Sequence, residues 1–79
     1  MKYRKKPVVI EAVQFDGNNH QEVFDFAVGA VATYDENGIT ILTAEGGMLA
    51  LPGDYVIKGV QNEFYPRKPD IFEATYEKV

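Results

Sequence analysis

The fold is decided by residues 31–65, which read VATYDENGITILTAEGGMLALPGDYVIKGVQNEFY. Short runs of apolar and β-branched residues alternate there with turns that carry glycine, asparagine or proline, a pattern typical of consecutive antiparallel strands. Strands are predicted at residues 31–34, 39–43, 48–51, 55–59 and 63–65. We therefore expect this part of the chain to form a β-meander.

The turns between these strands carry recognisable signatures. Asn37-Gly38 tolerates the positive φ angles of a two-residue hairpin turn. Leu51-Pro52-Gly53-Asp54 has proline at its second position and glycine at its third, which is the pattern of a type II turn. Further tight turns are predicted at residues 44–47 and 61–62.

A helix is predicted before the meander, over Asn19–Val28. Its first residue, an asparagine, can cap the N-terminus, and Glu22 occupies the capping-box position three residues later. Gly29 suits the left-handed conformation that often follows a helix. The apolar residues that share one face at helical spacing are Val23, Phe26 and Ala27.

The two ends of the chain supply the remaining elements. Residues 7–15, PVVIEAVQF, are apolar on both faces, which predicts a central strand buried on two sides. Residues 66–69 are predicted to form an extended connection, because a residue that precedes proline avoids the helical region. A short helix is predicted at about 69–74. Residues 75–79 are predicted to extend as an edge strand beside the first strand.

These elements predict an α+β fold, namely a small, mostly antiparallel twisted sheet or a partly open barrel with one packed helix and a short C-terminal helix. Residues 1–79 are predicted to form a single domain with a basic N-terminal arm at residues 1–6. The predicted core consists of Val9, Ile10, Val13, Phe15, Val23, Phe26, Ile41, Leu51, Ile57, Phe64, Ile71 and Phe72.

The composition argues against catalysis and against metal or cofactor binding. The 79 residues include no cysteine and no serine, so neither a thiolate zinc site nor the usual nucleophiles are present. The one histidine, His20, is predicted to be solvent-exposed at the start of the helix. No catalytic residue, metal ligand or cofactor is predicted, and the absence of cysteine is typical of a reducing cytoplasm.

Charge is distributed unevenly along the chain. The first six residues carry four positive charges, whereas the rest has four basic and 12 acidic residues, or −8. Because a body of this charge repels phosphate backbones, nucleic acid is not the expected partner. The N-terminal apolar run is interrupted by Glu11 and Gln14 and is too short to span a membrane.

The best candidate contact surface is residues 63–70, EFYPRKPD. Its candidate binding residues are Phe64, Tyr65, Arg67 and Lys68. Rigid aromatic rings beside arginine are typical of binding hot spots, and a ring combined with a cation also suits a nucleotide. An alternative places the two aromatic residues in the core and the two basic residues on a solvated turn.

Residues 1–17, MKYRKKPVVIEAVQFDG, and residues 52–79, PGDYVIKGVQNEFYPRKPDIFEATYEKV, resemble a family of small, mostly uncharacterised bacteriophage and prophage proteins. Members begin with a basic stretch and a strand like PVVIEAVQ, and they end with a block like the closing one here. Residues 18–51 match the corresponding part of these proteins only in length and in general type. The resemblance implies an accessory gene product that acts in the bacterial cytoplasm, and it brings no catalytic residue.

We therefore predict a non-enzymatic phage or prophage accessory protein that acts as a protein-binding module for a host or phage protein. Two alternatives stay open. In one, the chain forms a homo-oligomer that binds a small ligand at its subunit interface, with a nucleotide as a candidate. The other is a weak nucleic-acid contact through the basic arm at residues 1–6.

Overall fold

The computed structural model describes residues 9–77 of the chain. Its elements are, in chain order, β1 (Glu11–Gln14), α1 (His20–Phe26), β2 (Val31–Asp35), β3 (Gly38–Thr43), β4 (Gly46–Ala50), β5 (Tyr55–Lys58), β6 (Phe64–Arg67) and α2 (Pro69–Thr75). The α+β class is therefore confirmed. The basic arm predicted at residues 1–6 lies outside the described residues, as does the predicted start of the first strand.

The strands form two antiparallel three-stranded sheets rather than one. The meander sheet has the order β2-β3-β4, and the terminal sheet has the order β1-β5-β6. The chain changes sheets at residues 51–54, where Phe15 donates its amide to the carbonyl of Asp54 at 2.9 Å and accepts from the amide of Gly53 at 2.6 Å. These two bonds direct β5 to the side of β1. A barrel is not confirmed.

The strand buried on both faces is β5, and the prediction that the first strand is central was wrong. β1 lies at the edge of the terminal sheet, with β5 between it and β6. Val56 and Ile57 point to opposite faces of β5, and both are fully buried. Sequence alternation alone did not separate these two strands, since both are short and apolar.

The core lies between the two sheets and α1. Its fully buried members are Phe15, Val23, Ala27, Ile39, Ile41, Ala50 and Val56. Three predicted core residues are instead exposed: Val9 by 79%, Leu51 by 38% and Ile71 by 52%. Val9 precedes β1, Leu51 begins the turn between the sheets, and Ile71 lies on a helix that has no buried residue.

Helix α1 is shorter than predicted at both ends, and its capping differs. Asn19 occupies the N-cap position but makes no capping bond from its side chain. Its amide group donates to the carbonyl of Gln14 at 2.8 Å and to Glu22 Oε1 at 2.6 Å, and its Oδ1 accepts from the amide of Asp16 at 2.9 Å. Asn19 therefore ties α1 to β1. Gly29 has the positive φ expected of it, +83°.

One predicted turn is confirmed and one is different. Gly53 has a φ of +98°, and the amide of Asp54 donates to the carbonyl of Leu51 at 2.9 Å, as a type II turn requires. In the first hairpin neither Asn37 nor Gly38 has a positive φ. Instead, the carboxylate of Asp35 accepts from both of their amides, at 2.8 Å and 2.9 Å, and so stabilises a turn with ordinary φ angles.

The C-terminal helix is confirmed, but the strand predicted to follow it is not. Helix α2 begins at a proline and ends at Thr75, and the amide of Tyr76 still donates to the carbonyl of Phe72 at 2.9 Å. The backbone of Tyr76 is extended, with φ −121° and ψ 149°, but within residues 9–77 it pairs with no strand. Residues 76–77 are irregular, and residues 78–79 lie outside the described residues.

Candidate functional site

The four predicted binding residues lie in different surroundings, three on strand β6 and Lys68 directly after it. Adjacent strand residues point to opposite faces, so Phe64 and Tyr65 diverge. The ring of Phe64 packs edge-on against Phe26 of α1, with centroids 5.6 Å apart. Phe64 therefore contacts the periphery of the core, as the alternative interpretation of this segment expected.

Tyr65 lies on the opposite face of β6, partly buried beside Tyr76. Burial and the neighbouring Tyr76 hydroxyl raise the pKa of Tyr65 above its usual value. The guanidinium carbon of Arg67 lies 5.2 Å from the centroid of the Tyr65 ring, a cation–π distance. The ring thus helps to hold the arginine side chain in place.

An aromatic stack fixes helix α2 on the same face of the terminal sheet. Phe72 stacks on Tyr55 of β5 with centroids 3.8 Å apart and an interplanar angle of 11°. Tyr76 adds a tilted contact to Phe72 at 5.0 Å. Because α2 buries no residue fully, these rings supply its main apolar contact with the sheet.

Lys68 joins β6 to α2 and is held by a buried carboxylate. Its Nζ lies 3.2 Å from Oδ2 of Asp54, whose side chain is only 5% exposed. The same oxygen accepts from the amide of Leu51 at 2.9 Å. A buried carboxylate requires such partners, and here they fix the turn between the sheets relative to the start of α2.

Two of the predicted binding residues, Arg67 and Lys68, line a cleft between β4, β6 and α2. We call it the basic cleft. It has a volume of about 150 Å³ and is lined by Met48, Leu49, Asp54, Pro66, Arg67, Lys68 and Ile71. Phe64 and Tyr65 do not line it. Apolar side chains, two cations and the carboxylate of Asp54 therefore share one surface concavity.

Sequence reasoning missed four lining residues outside 63–70, namely Met48, Leu49, Asp54 and Ile71. Ile71 was predicted to be buried, Asp54 was assigned only to a turn, and Met48 and Leu49 were assigned only to a strand. The available signal was the sequence of β4, GGMLA, which has no charged residue although it lies at a sheet edge. Edge strands usually carry charge, so its absence marks a surface that is open to pairing.

The size of the cleft limits what it can hold. Small-molecule pockets are typically about 300–1,000 Å³, which is larger than this cleft. Within residues 9–77, no group of three or more histidine, cysteine, aspartate or glutamate residues could hold a metal ion. The geometry suits a few side chains of an extended segment better than an enclosed ligand.

His20 is half-buried, so the prediction that it is solvent-exposed was wrong. Its Nε2 donates to the carbonyl of Asp35 at 2.9 Å, and its ring meets the Phe15 ring edge-on at 4.9 Å. The β2–β3 hairpin brings Asp35 close to α1. The contact joins residues 15 positions apart, so local sequence patterns do not indicate it. His20 connects the helix to the hairpin.

A second concavity lies where the described residues begin. It has a volume of about 210 Å³ and is lined by Val9, Ile10, Glu11, Lys58, Gly59 and Asn62. Glu11 and Lys58 are directly paired across β1 and β5. Their opposite charges leave no net charge to select a ligand there.

No model of a known protein family matches the chain, and neither a curated protein nor a solved structure matches it. The resemblance to bacteriophage and prophage proteins therefore stays a prediction. Within residues 9–77, neither α1 nor α2, with seven residues each, is long enough to span a membrane.

Proposed function

We propose that this chain is a non-enzymatic protein-binding module, a phage or prophage accessory protein that contacts a host or phage protein in the bacterial cytoplasm through the basic cleft. The observation that carries the proposal is the juxtaposition of exposed apolar and basic side chains. Leu49 and Ile71 are both more than half exposed, and Arg67 and Lys68 lie beside them.

This combination is typical of protein interfaces. Buried apolar contacts supply most of the binding free energy at an interface, and arginine is enriched among the residues that contribute strongly. The walls of the cleft are also held in place before binding. Lys68 is anchored on Asp54, and α2 is stacked on β5 through Phe72. Preorganised walls lose little conformational entropy when a partner binds.

The test is affinity capture of a partner with variants that change only the cleft. Leu49→Ser and Ile71→Ser are expected to lose a partner protein that the unmodified chain retains, because each removes apolar surface from the cleft. Leu42→Ser is the matched control, since Leu42 is 50% exposed on the same sheet but does not line the cleft. Equal retention of that partner by all three variants would contradict the proposal.

The two alternative functions stay predictions. A nucleotide at a homo-oligomer interface requires a second copy of the chain to enlarge the cleft, which alone is about 150 Å³. A nucleic-acid contact through residues 1–6 falls outside the described residues. A thermal-shift screen with nucleotides tests the first alternative, and the salt dependence of binding tests the second.

A further inference from the structure

The sheet edges of this molecule differ in how they are protected. The strands at the ends of the two sheets are β1, β6, β2 and β4. β1 carries Glu11, β6 carries Pro66 and Arg67, and β2 has an irregular register between Val31 and Thr33 and ends on a charged residue. Charges, prolines and bulges are the features that keep edge strands from pairing with other chains.

Strand β4 has none of these features among the described residues. Gly46–Ala50 is uncharged, contains no proline and pairs with β3 in an unbroken register of five residues. Its other side has no partner strand within residues 9–77. Among the described residues, the backbone donors and acceptors of this edge thus pair with no strand, and they have the regular spacing that an additional strand requires.

The open edge of β4 borders the basic cleft. Met48 and Leu49 are consecutive, so they point to opposite faces of the strand, and both line the cleft. Met48 is paired with the buried Ile41 and so points to the side of β6 and α2, whereas Leu49 points to the outer face of the meander sheet. An added strand would present alternate side chains to these two sides.

The charges in the cleft select the chemistry of such a strand. Arg67 forms no ion pair with any described residue, and the side chain of Lys68 is 55% exposed beside its one carboxylate partner. With Asp54 included, the lining side chains carry a formal net charge of +1, on a chain whose net charge is −4. Opposite charge on the partner favours the correct pairing and speeds the encounter.

Building on the proposed function, we propose that the basic cleft binds an extended acidic segment of a partner protein, which pairs with the open edge of β4. Its apolar side chains contact Leu49, and its carboxylates lie near Arg67 and Lys68. Main-chain bonds supply affinity in this mode of recognition, and alternate side chains supply specificity. A second copy of this chain is disfavoured, since pairing two β4 edges would bring the two basic clefts together.

The probe is a synthetic eight-residue peptide in which leucine and aspartate alternate, titrated into the full chain and followed by amide NMR shifts. We expect shifts to concentrate in β4 and at residues 67–71. A matched peptide with lysine in place of aspartate is expected to bind more weakly by on the order of tenfold, because several charge contacts reverse. Equal binding of the two peptides would overturn the inference.

Main-chain pairing is tested by methylating alternate amide nitrogens of the aspartate peptide. Only one alternate set of amides points at the neighbouring strand, so methylating that set is expected to weaken binding by on the order of tenfold or more. Methylating the other set should have little effect. If neither set matters, the peptide is not an added strand and the inference is wrong.

The variant Arg67→Ala is expected to weaken binding of the aspartate peptide by about twofold to fivefold, the size of an exposed charge contact. Lys58→Ala is the matched control, since it removes a positive charge outside the cleft and should bind normally. Failure of every peptide to bind, or a dimer of the free chain that Leu49→Lys abolishes, would also overturn the inference. None of these results decides the outcome of the partner-capture test with Leu49→Ser and Ile71→Ser. The proposed function and this inference can therefore fail separately.

Discussion

The side chain of Tyr65 contacts two neighbours, Arg67 and Tyr76. Its ring lies under the Arg67 guanidinium, and its hydroxyl lies beside that of Tyr76. Tyr76 follows α2 directly, so Tyr65 connects the arginine of the basic cleft with the end of that helix. The neutral form of the phenol is favoured there, because burial opposes the phenolate.

The raised pKa of Tyr65 predicts a loss of stability in alkali. Above about pH 10, the ordinary tyrosine pKa, the unfolded chain releases this proton before the folded chain does. The folded state then binds more protons than the unfolded state, so the free energy of unfolding falls as pH rises further. Urea denaturation between pH 8 and pH 11 measures this slope.

Tyr65→Phe is expected to reduce the alkaline loss of stability, because this variant has no phenolic proton to release at residue 65. Equal slopes for Tyr65→Phe and the unmodified chain would show that Tyr65 ionises normally in the folded state.

At the scale of elements, Asp54 joins the turn between the sheets to the C-terminal helix. One carboxylate oxygen accepts from the Leu51 amide and from the Lys68 ammonium group. The two contacts are of unequal weight. The amide contact is partly buried, whereas the side chain of Lys68 is 55% exposed and its charge is screened by solvent.

Removing the carboxylate is therefore expected to cost more than removing the lysine. Asp54→Ala should lower the free energy of unfolding by about 2 kcal/mol, because the partly buried amide of Leu51 loses a charged acceptor. Lys68→Met should cost less than about 1 kcal/mol. Urea denaturation measures the free energy of unfolding of the two variants and so shows which loses more. Equal losses would show that the ion pair with Lys68, rather than the bond to the turn, supplies most of the stabilisation by Asp54.

At the scale of the whole molecule, Phe15 contacts both the turn between the sheets and helix α1. It is fully buried, its backbone bonds the turn between the sheets, and its ring contacts His20 of α1. A domain of this size has a small core, which supplies only about 3–5 kcal/mol of net stability. A single large buried ring is a substantial part of that core.

Phe15→Ala is expected to destabilise the fold by about 3–5 kcal/mol, enough to unfold most of the chain at room temperature. Val9→Ala is the control, because Val9 was predicted to be in the core but is 79% exposed. Thermal melting followed by circular dichroism should show a strong loss for the first variant and almost none for the second. A cooperative melt of Phe15→Ala near that of the unmodified chain would contradict this account of the core.

The local elements followed from local chemistry. The helix before the meander, the type II turn at Leu51–Asp54 and the proline that opens α2 all depend on residues within a few positions of each other. One error was local, since Asn19 bonds Gln14 and Glu22, five and three residues away, instead of capping its helix. Other errors occurred where a distant partner mattered, as where His20 bonds the carbonyl of Asp35, 15 residues away.

The candidate site was predicted only in part, for the same reason. Arg67 and Lys68 were identified because prolines and aromatic residues mark their segment. Leu49 and Ile71 were not, since each lies in an ordinary apolar pattern and becomes part of a cleft only when β4, β6 and α2 meet. The charge-free sequence of β4 was a usable signal, but its significance depends on the strand lying at an edge.

The sequence by itself determined the class of fold, the order of the elements from the first strand to α2 and the absence of thiol and serine groups, because these depend on composition and on neighbours along the chain. Only the tertiary structure decided how the strands divide into two sheets, which strand is central, and which apolar residues stay exposed beside Arg67 and Lys68. Those outcomes depend on contacts between residues far apart in the chain, and many such arrangements are compatible with the same local pattern.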